Sequence, residues 1–287
     1  MESCPRSAST YRLSNYRGAI VKTFLDKRDP SDCALQRYSL HGETMGTRYS
    51  AVFYAAKGAD EAAINARLFA AVDDVDRHMS SWKPDSSLNQ LNSAPLDQWL
   101  SIPDGLFIVL EAAMEVSRQS RGAFDIGVGD LVNAWGFGTS EGQVSEHRIA
   151  ALNAQTYRLA TDVLELNPVH RRVRKRAAIT LDLSGIAKGY GVDQLARGLD
   201  TRGITRYLVG IDGEMRARGT KPDGRPWSIA IEKPVCDVRE VMGVMELSDA
   251  AIATSGDYRH RVEHAGKSYA HTINGSLRAP SSNRLAA

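Results

Sequence analysis

The stretch Tyr207-Leu208-Val209-Gly210-Ile211-Asp212-Gly213-Glu214-Met215-Arg216-Ala217-Arg218 decides the fold class. Two β-prone runs flank an Asp-Gly pair, whose tolerance of positive φ suits the tight turn of a hairpin. Strands joined so closely cannot be parallel, because a parallel connection needs a crossover of a dozen residues or more. The same pattern continues downstream. Short runs at 227–231, 241–247, 251–254, 258–263 and 268–273 are separated by Pro222-Asp223-Gly224, Gly256-Asp257 and Ala265-Gly266-Lys267. Upstream the period changes. Asp60 is placed to cap a helix whose apolar residues Ala63, Ile64, Leu68, Ala71, Val72 and Val75 recur at helical spacing. A second helix runs from about Pro103 to Gln119, with Leu106, Leu110, Ala113 and Met114 on its buried stripe, and Arg121-Gly122 ends it. Helices early and hairpins late predict an α+β protein with a mainly antiparallel sheet flanked by helices.

Between these landmarks, 38–55 reads as strands interrupted by Gly42 and by the Met45-Gly46-Thr47 turn. Residues 122–139 are too rich in glycine for a regular element, since each glycine costs about 1 kcal/mol relative to alanine in a helix. A helix is expected at 146–153 and a strand at 163–166. The run His170-Arg171-Arg172-Val173-Arg174-Lys175-Arg176 reads as a solvated turn between strands, or else as a patch for a phosphate or acidic partner. Ile179-Thr180-Leu181-Asp182-Leu183 reads as a buried strand, followed by glycine and a helix carrying Val192, Leu195, Ala196 and Leu199. Residues 1–36 show neither period and are expected to be a loose leader, with one domain over 37–287.

The 287 residues are 43% hydrophobic and 24% charged, which places most of the chain among globular proteins and excludes disorder. Thirty-six basic against 34 acidic side chains give a net charge of +2, too small a field to argue for nucleic acid as a partner. No stretch approaches the roughly 18 apolar residues of a transmembrane segment, and no signal peptide is visible in the first 35 residues. The three cysteines, Cys4, Cys33 and Cys236, show neither C-x-x-C nor Cys/His spacing, so no disulfide framework or zinc site is indicated. Cys4 is preceded only by Met1-Glu2-Ser3, which is no lipoprotein signal.

Several segments carry candidate chemistry. In Asp182-Leu183-Ser184-Gly185-Ile186-Ala187-Lys188-Gly189-Tyr190-Gly191-Val192-Asp193, glycines and Lys188 stand at the mouth of a helix. Free backbone N–H groups and an ammonium can meet a phosphate there, although neither the Walker nor the G-x-G-x-x-G spacing is present; the alternative is a plain turn with Lys188 in solvent. In Ala123-Phe124-Asp125 the carboxylate either hydrogen-bonds a heterocycle or its ribose, or caps a turn. Trp82, in a Pro/Ser-rich loop, is a lid on the core or a stacking surface for a flat ligand. Met45 fills a gap in a core or beside a planar ligand. Ser255, His271 and Asp257 do not indicate a triad, because no G-x-S-x-G elbow surrounds the serine.

Together these segments resemble the ApbE family of FAD:protein FMN transferases. The resemblance is carried in order by Thr44-Met45-Gly46-Thr47-Arg48-Tyr49, by Met79-Ser80-Ser81-Trp82-Lys83-Pro84-Asp85-Ser86, and by Gly122-Ala123-Phe124-Asp125-Ile126 with Asn133-Ala134-Trp135-Gly136-Phe137-Gly138. It continues through 182–193 and 253–258, and spans about 38–280. It implies a T-fold-like α+β fold and an enzyme that cleaves FAD with Mg²⁺ assistance, transfers FMN to a Thr or Ser hydroxyl of a target flavoprotein of a membrane electron-transfer chain, and releases AMP. Met45, Trp82, Ala123, Phe124, Asp125 and Thr254 would contact FAD, Lys188 would approach the diphosphate, and the Gly185 carbonyl with Asn274 would hold the metal. The resemblance also implies a periplasmic or membrane-associated location.

One stretch departs from the pattern. Where the family has Asp-Pro-Arg-Thr-Gly, this sequence has Asn274-Gly275-Ser276-Leu277-Arg278. Family members also continue beyond the position of Ala287, which sets the expectation of a C-terminally short domain. The alternative function is therefore a family member that binds FAD with impaired or no transfer.

Overall fold

A computed structural model describes residues 35–139, 142–235 and 239–282. All three cysteines, and most of the expected leader, lie outside the described residues. Leu35 and Gln36, assigned to that leader, instead belong to β1 (Leu35–Thr44), where they pair with Ala56 and Ala55 of β2 (Thr47–Ala56). Gly42 does not interrupt β1: the ladder runs unbroken to Thr44↔Thr47, and Met45 takes the left-handed turn conformation with φ 48°.

α1 (Glu61–Met79) is capped as expected, Asp60 accepting the Ala63 N–H. α2 (Ser87–Ser93), capped by Ser86, is too short for a periodic signal and was not foreseen. β3 (Leu100–Ser101) leads into α3 (Asp104–Gln119). The glycine-rich stretch does contain regular structure: a 3₁₀ turn at Ile126–Val128, then α4 (Gly129–Ala134). Gly129 shows why glycine is there, since a Cβ would stand 2.7 Å from the Thr180 carbonyl oxygen. α5 (Glu146–Asn153) and α6 (Ala160–Val163) precede β4 (Leu164–Asn167).

The basic run begins in the expected turn between strands, at His170 and Arg171, but most of it is itself a strand. β5 (Arg172–Lys175) is the middle strand of a β3-β5-β4 sheet, with Val173 fully buried and the arginines drawn into pairs such as Arg174 with Glu165. Residues 179–183, expected as a strand, are extended and buried but join no ladder. α7 (Ala187–Asp200) follows, then β6 (Tyr207–Ile211) and β7 (Glu214–Arg218), the hairpin that decided the fold. β8 (Trp227–Glu232), β9 (Val241–Leu247), β10 (Ala251–Ile252), β11 (Arg261–His264), β12 (Lys267–Ala270), β13 (Ile273–Asn274) and β14 (Ala279–Pro280) complete the described elements. The expected strands at 251–254 and 258–263 are thus cut to short pieces around a loop.

The central sheet has the order β1-β2-β6-β7-β10, and its pairings are antiparallel, as the tight turns required. Alternation along β2 turns Tyr49, Ala51, Phe53 and Ala55 toward α1 and α7, where they join Leu68, Val72, Leu195 and Leu199 in one core. The other face carries Val52 and Tyr54, against which Trp227 packs. A second core gathers α2, α3 and the extended segment through Leu88, Leu91, Leu106, Leu110, Leu181 and Leu183. Met45 packs against both cores.

Candidate active site

The segment from Thr180 to Lys188 is the axis of the site. Having no ladder, it is held by backbone bonds from Gly129 N–H to the Thr180 carbonyl and from Asp182 N–H to the Ile126 carbonyl, and by Asn92, whose Oδ1 accepts the Leu181 N–H at 2.8 Å and whose Nδ2 donates to the Leu181 carbonyl at 3.1 Å. That amide does for one residue what a neighbouring strand would do. Asp182 Oδ1 then accepts the Ser184 N–H at 2.8 Å, which turns the chain and brings Gly185 beneath Phe124; a side chain at 185 would meet that ring at 3.1 Å. α7 begins immediately after. Its N-cap, Ile186, gives no side-chain hydrogen bond; the Ala187 N–H donates to the Leu183 carbonyl at 2.8 Å, and the positive end of the helix dipole lies beside Lys188, where an anion would be favoured.

On the other side of the axis lies a cleft of about 340 Å³ lined by Ser81, Trp82, Asn92, Asn133, Thr139 and Asp182, among others. Trp82 is no lid on the core. Its side chain is 54% exposed, at the tip of a loop braced by Ser86, whose hydroxyl donates to the Ser80 carbonyl, and by Asn89, whose amide donates to the carbonyls of Ser81 and Lys83. The braced loop thus presents an open indole to the cleft.

The other expected residues divide. Ala123 is exposed and Phe124 half-buried, its ring against Gly185. Asp125 faces inward: it is 7% exposed, its Oδ1 accepts the N–H groups of Gly127 and Ala160 at 3.0 Å, and its Oδ2 accepts the Tyr157 hydroxyl at 2.7 Å. The structure shows the turn cap, with both carboxylate oxygens engaged within the protein. Met45 is a gap-filler at the junction of the cores, its methyl 3.0 Å from where a Gly191 Cβ would be. Lys188 Nζ pairs with Asp212 Oδ2 at 3.0 Å, on the β6–β7 turn, and exposed Thr254 docks on the same turn through its N–H to the Gly213 carbonyl at 3.3 Å. Burial pushes the neighbouring Glu214 carboxyl up, while the Lys188 charge opposes that shift.

His271 is the residue that the sequence reading did not assign. It stands at the end of the β11–β12 hairpin with its ring edge-on to His260, 5.5 Å between centroids, and to Phe137. Desolvation by the surrounding protein holds its pKa below the usual imidazole value; His260 and Lys188 push the same way, while Asp257 and a hydrogen bond to the His260 backbone carbonyl oppose them. That backbone bond favours a proton on the ring nitrogen that makes it. No Ser/His/Asp triad forms: the Asp257 Oδ1 accepts the Thr272 hydroxyl instead, at 2.6 Å.

Of the two groups expected to hold Mg²⁺, the Gly185 carbonyl and Asn274, the Asn274 side chain does not fit that role. Asn274 Oδ1 already accepts the Ser276 hydroxyl at 2.8 Å and the Leu277 N–H at 3.0 Å, and its loop offers no carboxylate. Mg²⁺ demands octahedral oxygen ligands and favours anionic ones. Among the described residues no group of three or more His, Cys, Asp or Glu side chains is placed to hold a metal. Nor is any described helix long and apolar enough to cross a membrane.

The profile of the ApbE family matches residues 45–287. The FAD:protein FMN transferase of Vibrio cholerae is 36% identical over 252 residues, which cover 87% of this chain and 75% of that protein. The enzyme of the same name from Escherichia coli K12 is 32% identical, covering 86% and 71%. Among solved structures, the flavin transferase ApbE from Vibrio cholerae superposes with a TM-score of 0.75 at 34% identity, over 87% of this chain and 80% of that one. The apo form of the Pseudomonas stutzeri flavinyl transferase ApbE gives 0.73 at 31% identity, over 86% and 77%.

Proposed function

This chain belongs to the ApbE family, and from that premise we infer how its site works. It is a flavin transferase that takes FAD as substrate and places FMN on a target flavoprotein. In this reading the acceptor is a Thr or Ser hydroxyl. Its oxygen attacks the phosphorus of the FMN half, a phosphoester bond forms, the pyrophosphate P–O bond breaks, and AMP departs with the bridging oxygen. His271 takes the hydroxyl proton, and the desolvation that lowers its pKa favours the neutral, proton-accepting form. Lys188 and the N-terminus of α7 neutralise charge on the diphosphate and on the departing phosphate. Trp82 stacks on one of the dinucleotide's rings. Because Asn274 is turned into its own loop, no step of this reading passes through a metal ion.

The observation that carries the reading is the placement of Lys188 in the first turn of α7, its ammonium held toward the β6–β7 turn by Asp212, on which Thr254 also docks: a cation at a helix mouth meets the charge that develops in an in-line phosphoryl transfer. No contact in the structure favours the alternative of FAD binding without transfer. The partner in this proposal is a flavoprotein of a membrane electron-transfer chain, met at the periplasmic or membrane face. The test incubates the protein with FAD and a fragment bearing the acceptor hydroxyl, with Mg²⁺ or with EDTA, and looks for covalent flavin fluorescence on a denaturing gel. Labelling that vanishes in His271→Asn supports the assignment. No labelling under any condition defeats it.

A further inference from the structure

The loop between β13 and β14 is anchored by protein groups at each end and in the middle. At its start, the Asn274 side chain folds back on Ser276 and Leu277. At its end Arg278, in the left-handed region at φ 53°, donates from Nη1 to the Leu152 carbonyl at 2.6 Å, while its own carbonyl accepts the Trp135 indole N–H at 3.2 Å. In the middle, buried Gly275 sits against Tyr157, and a Cβ at 275 would fall 2.1 Å from the phenol oxygen. That oxygen cannot move freely, because its proton goes to Asp125 Oδ2 at 2.7 Å and Asp125 is itself fixed by two backbone N–H groups. Burial and the Asp125 bond both drive the Tyr157 pKa upward, so the hydroxyl remains a donor.

We propose that Tyr157, locked to Asp125, is the keystone that orders the Asn274–Arg278 loop without a divalent cation, and that Gly275 is the partner that makes this contact possible. The loop leads directly from His271, so the same relay ties the imidazole's strand to the Ala123-Phe124-Asp125 turn. This inference goes beyond the transfer reading and does not depend on it, since it concerns what holds the loop rather than what the site transforms.

The test is limited trypsinolysis of the full chain, following the bond after Arg278 by mass spectrometry against total cleavage. The wild-type bond is expected to be cut at the same rate in EDTA as in excess Mg²⁺. Tyr157→Phe keeps the ring and deletes the donor, and is expected to speed cleavage about fivefold, the value of one net hydrogen bond. Gly275→Ala drives a methyl into the phenol oxygen and is expected to speed it about tenfold or more. Joining the two substitutions should add little to the larger effect, because both break one contact; independent structural defects would multiply. Should either variant fail to fold, the other and the wild-type comparison decide. Protection of the wild-type bond by Mg²⁺, or wild-type cleavage rates in the folded variants, would overturn the proposal.

Discussion

Lys188 Nζ lies 3.0 Å from Asp212 Oδ2, so the cation proposed to meet the diphosphate is paired with a carboxylate in this structure. The pair is part-exposed, which makes it weak, about 0–1 kcal/mol, and cheap to exchange for a phosphate. Asp212→Asn is therefore expected to tighten FAD binding about threefold to tenfold by removing a repelling charge, and Lys188→Ala to weaken it by at least as much. Both effects should shrink as salt is raised. Calorimetric titration checks the order of affinities, and FAD should bind more tightly than FMN. An Asp212→Asn protein with weaker binding would remove Lys188 from the diphosphate.

Trp82 is exposed at the cleft, so FAD is expected to quench part of the tryptophan emission and Trp82→Phe to lose that part. Loss of one stacking partner should weaken binding by about 0.5–1.5 kcal/mol, with folding stability nearly unchanged because the ring covers no core. Quenching that persists in the variant assigns the contact to another indole.

The hairpin at 207–218 and the caps of α1 were legible because their signals are local: an Asp-Gly pair and an Asp three residues before the N–H it accepts. The basic run was misread because Val173 and Lys175 face inward while Arg172 and Arg174 face out, and alternation over four residues looks like a charge cluster when the arginines dominate it. Asn92 was invisible for a different reason. Its partner Leu181 is 89 residues away, and nothing in a short amide-bearing helix announces such a clamp. At the site, Trp82 and Lys188 stood out as an aromatic and a cation in glycine- or proline-rich surroundings. Asp125 stood out for the same reason, but its internal partners Tyr157 and Ala160, more than 30 residues on, were not legible. His271 went unassigned because a lone histidine in a strand carries no spacing signal.

His271 acts as a base only when neutral, and its pKa lies below the ordinary 6.5. The acid limb of kcat/KM for transfer is thus expected below that value, with activity flat above it. His260→Asn and Lys188→Ala each remove a charge that lowers the imidazole, so each should move the limb upward. The same shift sets a stability slope: between the folded and unfolded values the unfolded chain binds more protons, so His271's contribution is complete above about pH 6.5 and declines as the pH falls to the folded value. His271→Gln should abolish both the limb and turnover while leaving FAD affinity near wild type. A limb that stays in place in His260→Asn would show that another group sets it.

Asn92 and Lys175 test how the axis of the site is held. Asn92→Ala strips the Leu181 N–H and C=O of their partners at a buried position, which is expected to cost about 2–4 kcal/mol and to weaken FAD binding, since Asp182 through Lys188 hang from that clamp. Lys175 is a different case. It is 4% exposed, its Nζ donates to the Asn92 carbonyl at 2.5 Å, and burial pushes its pKa down against the pull of Asp130. A lysine whose folded pKa is lowered binds fewer protons folded than unfolded between the two values, so stability should rise with pH across that alkaline window. Lys175→Met keeps the stem and removes the desolvated charge, so it is expected to cost less than Asn92→Ala and to flatten the alkaline rise. Denaturant melts of both variants at neutral and alkaline pH separate the contributions. If Lys175→Met proves the more damaging change, the ammonium, and not the Asn92 amide, is what holds the segment in place.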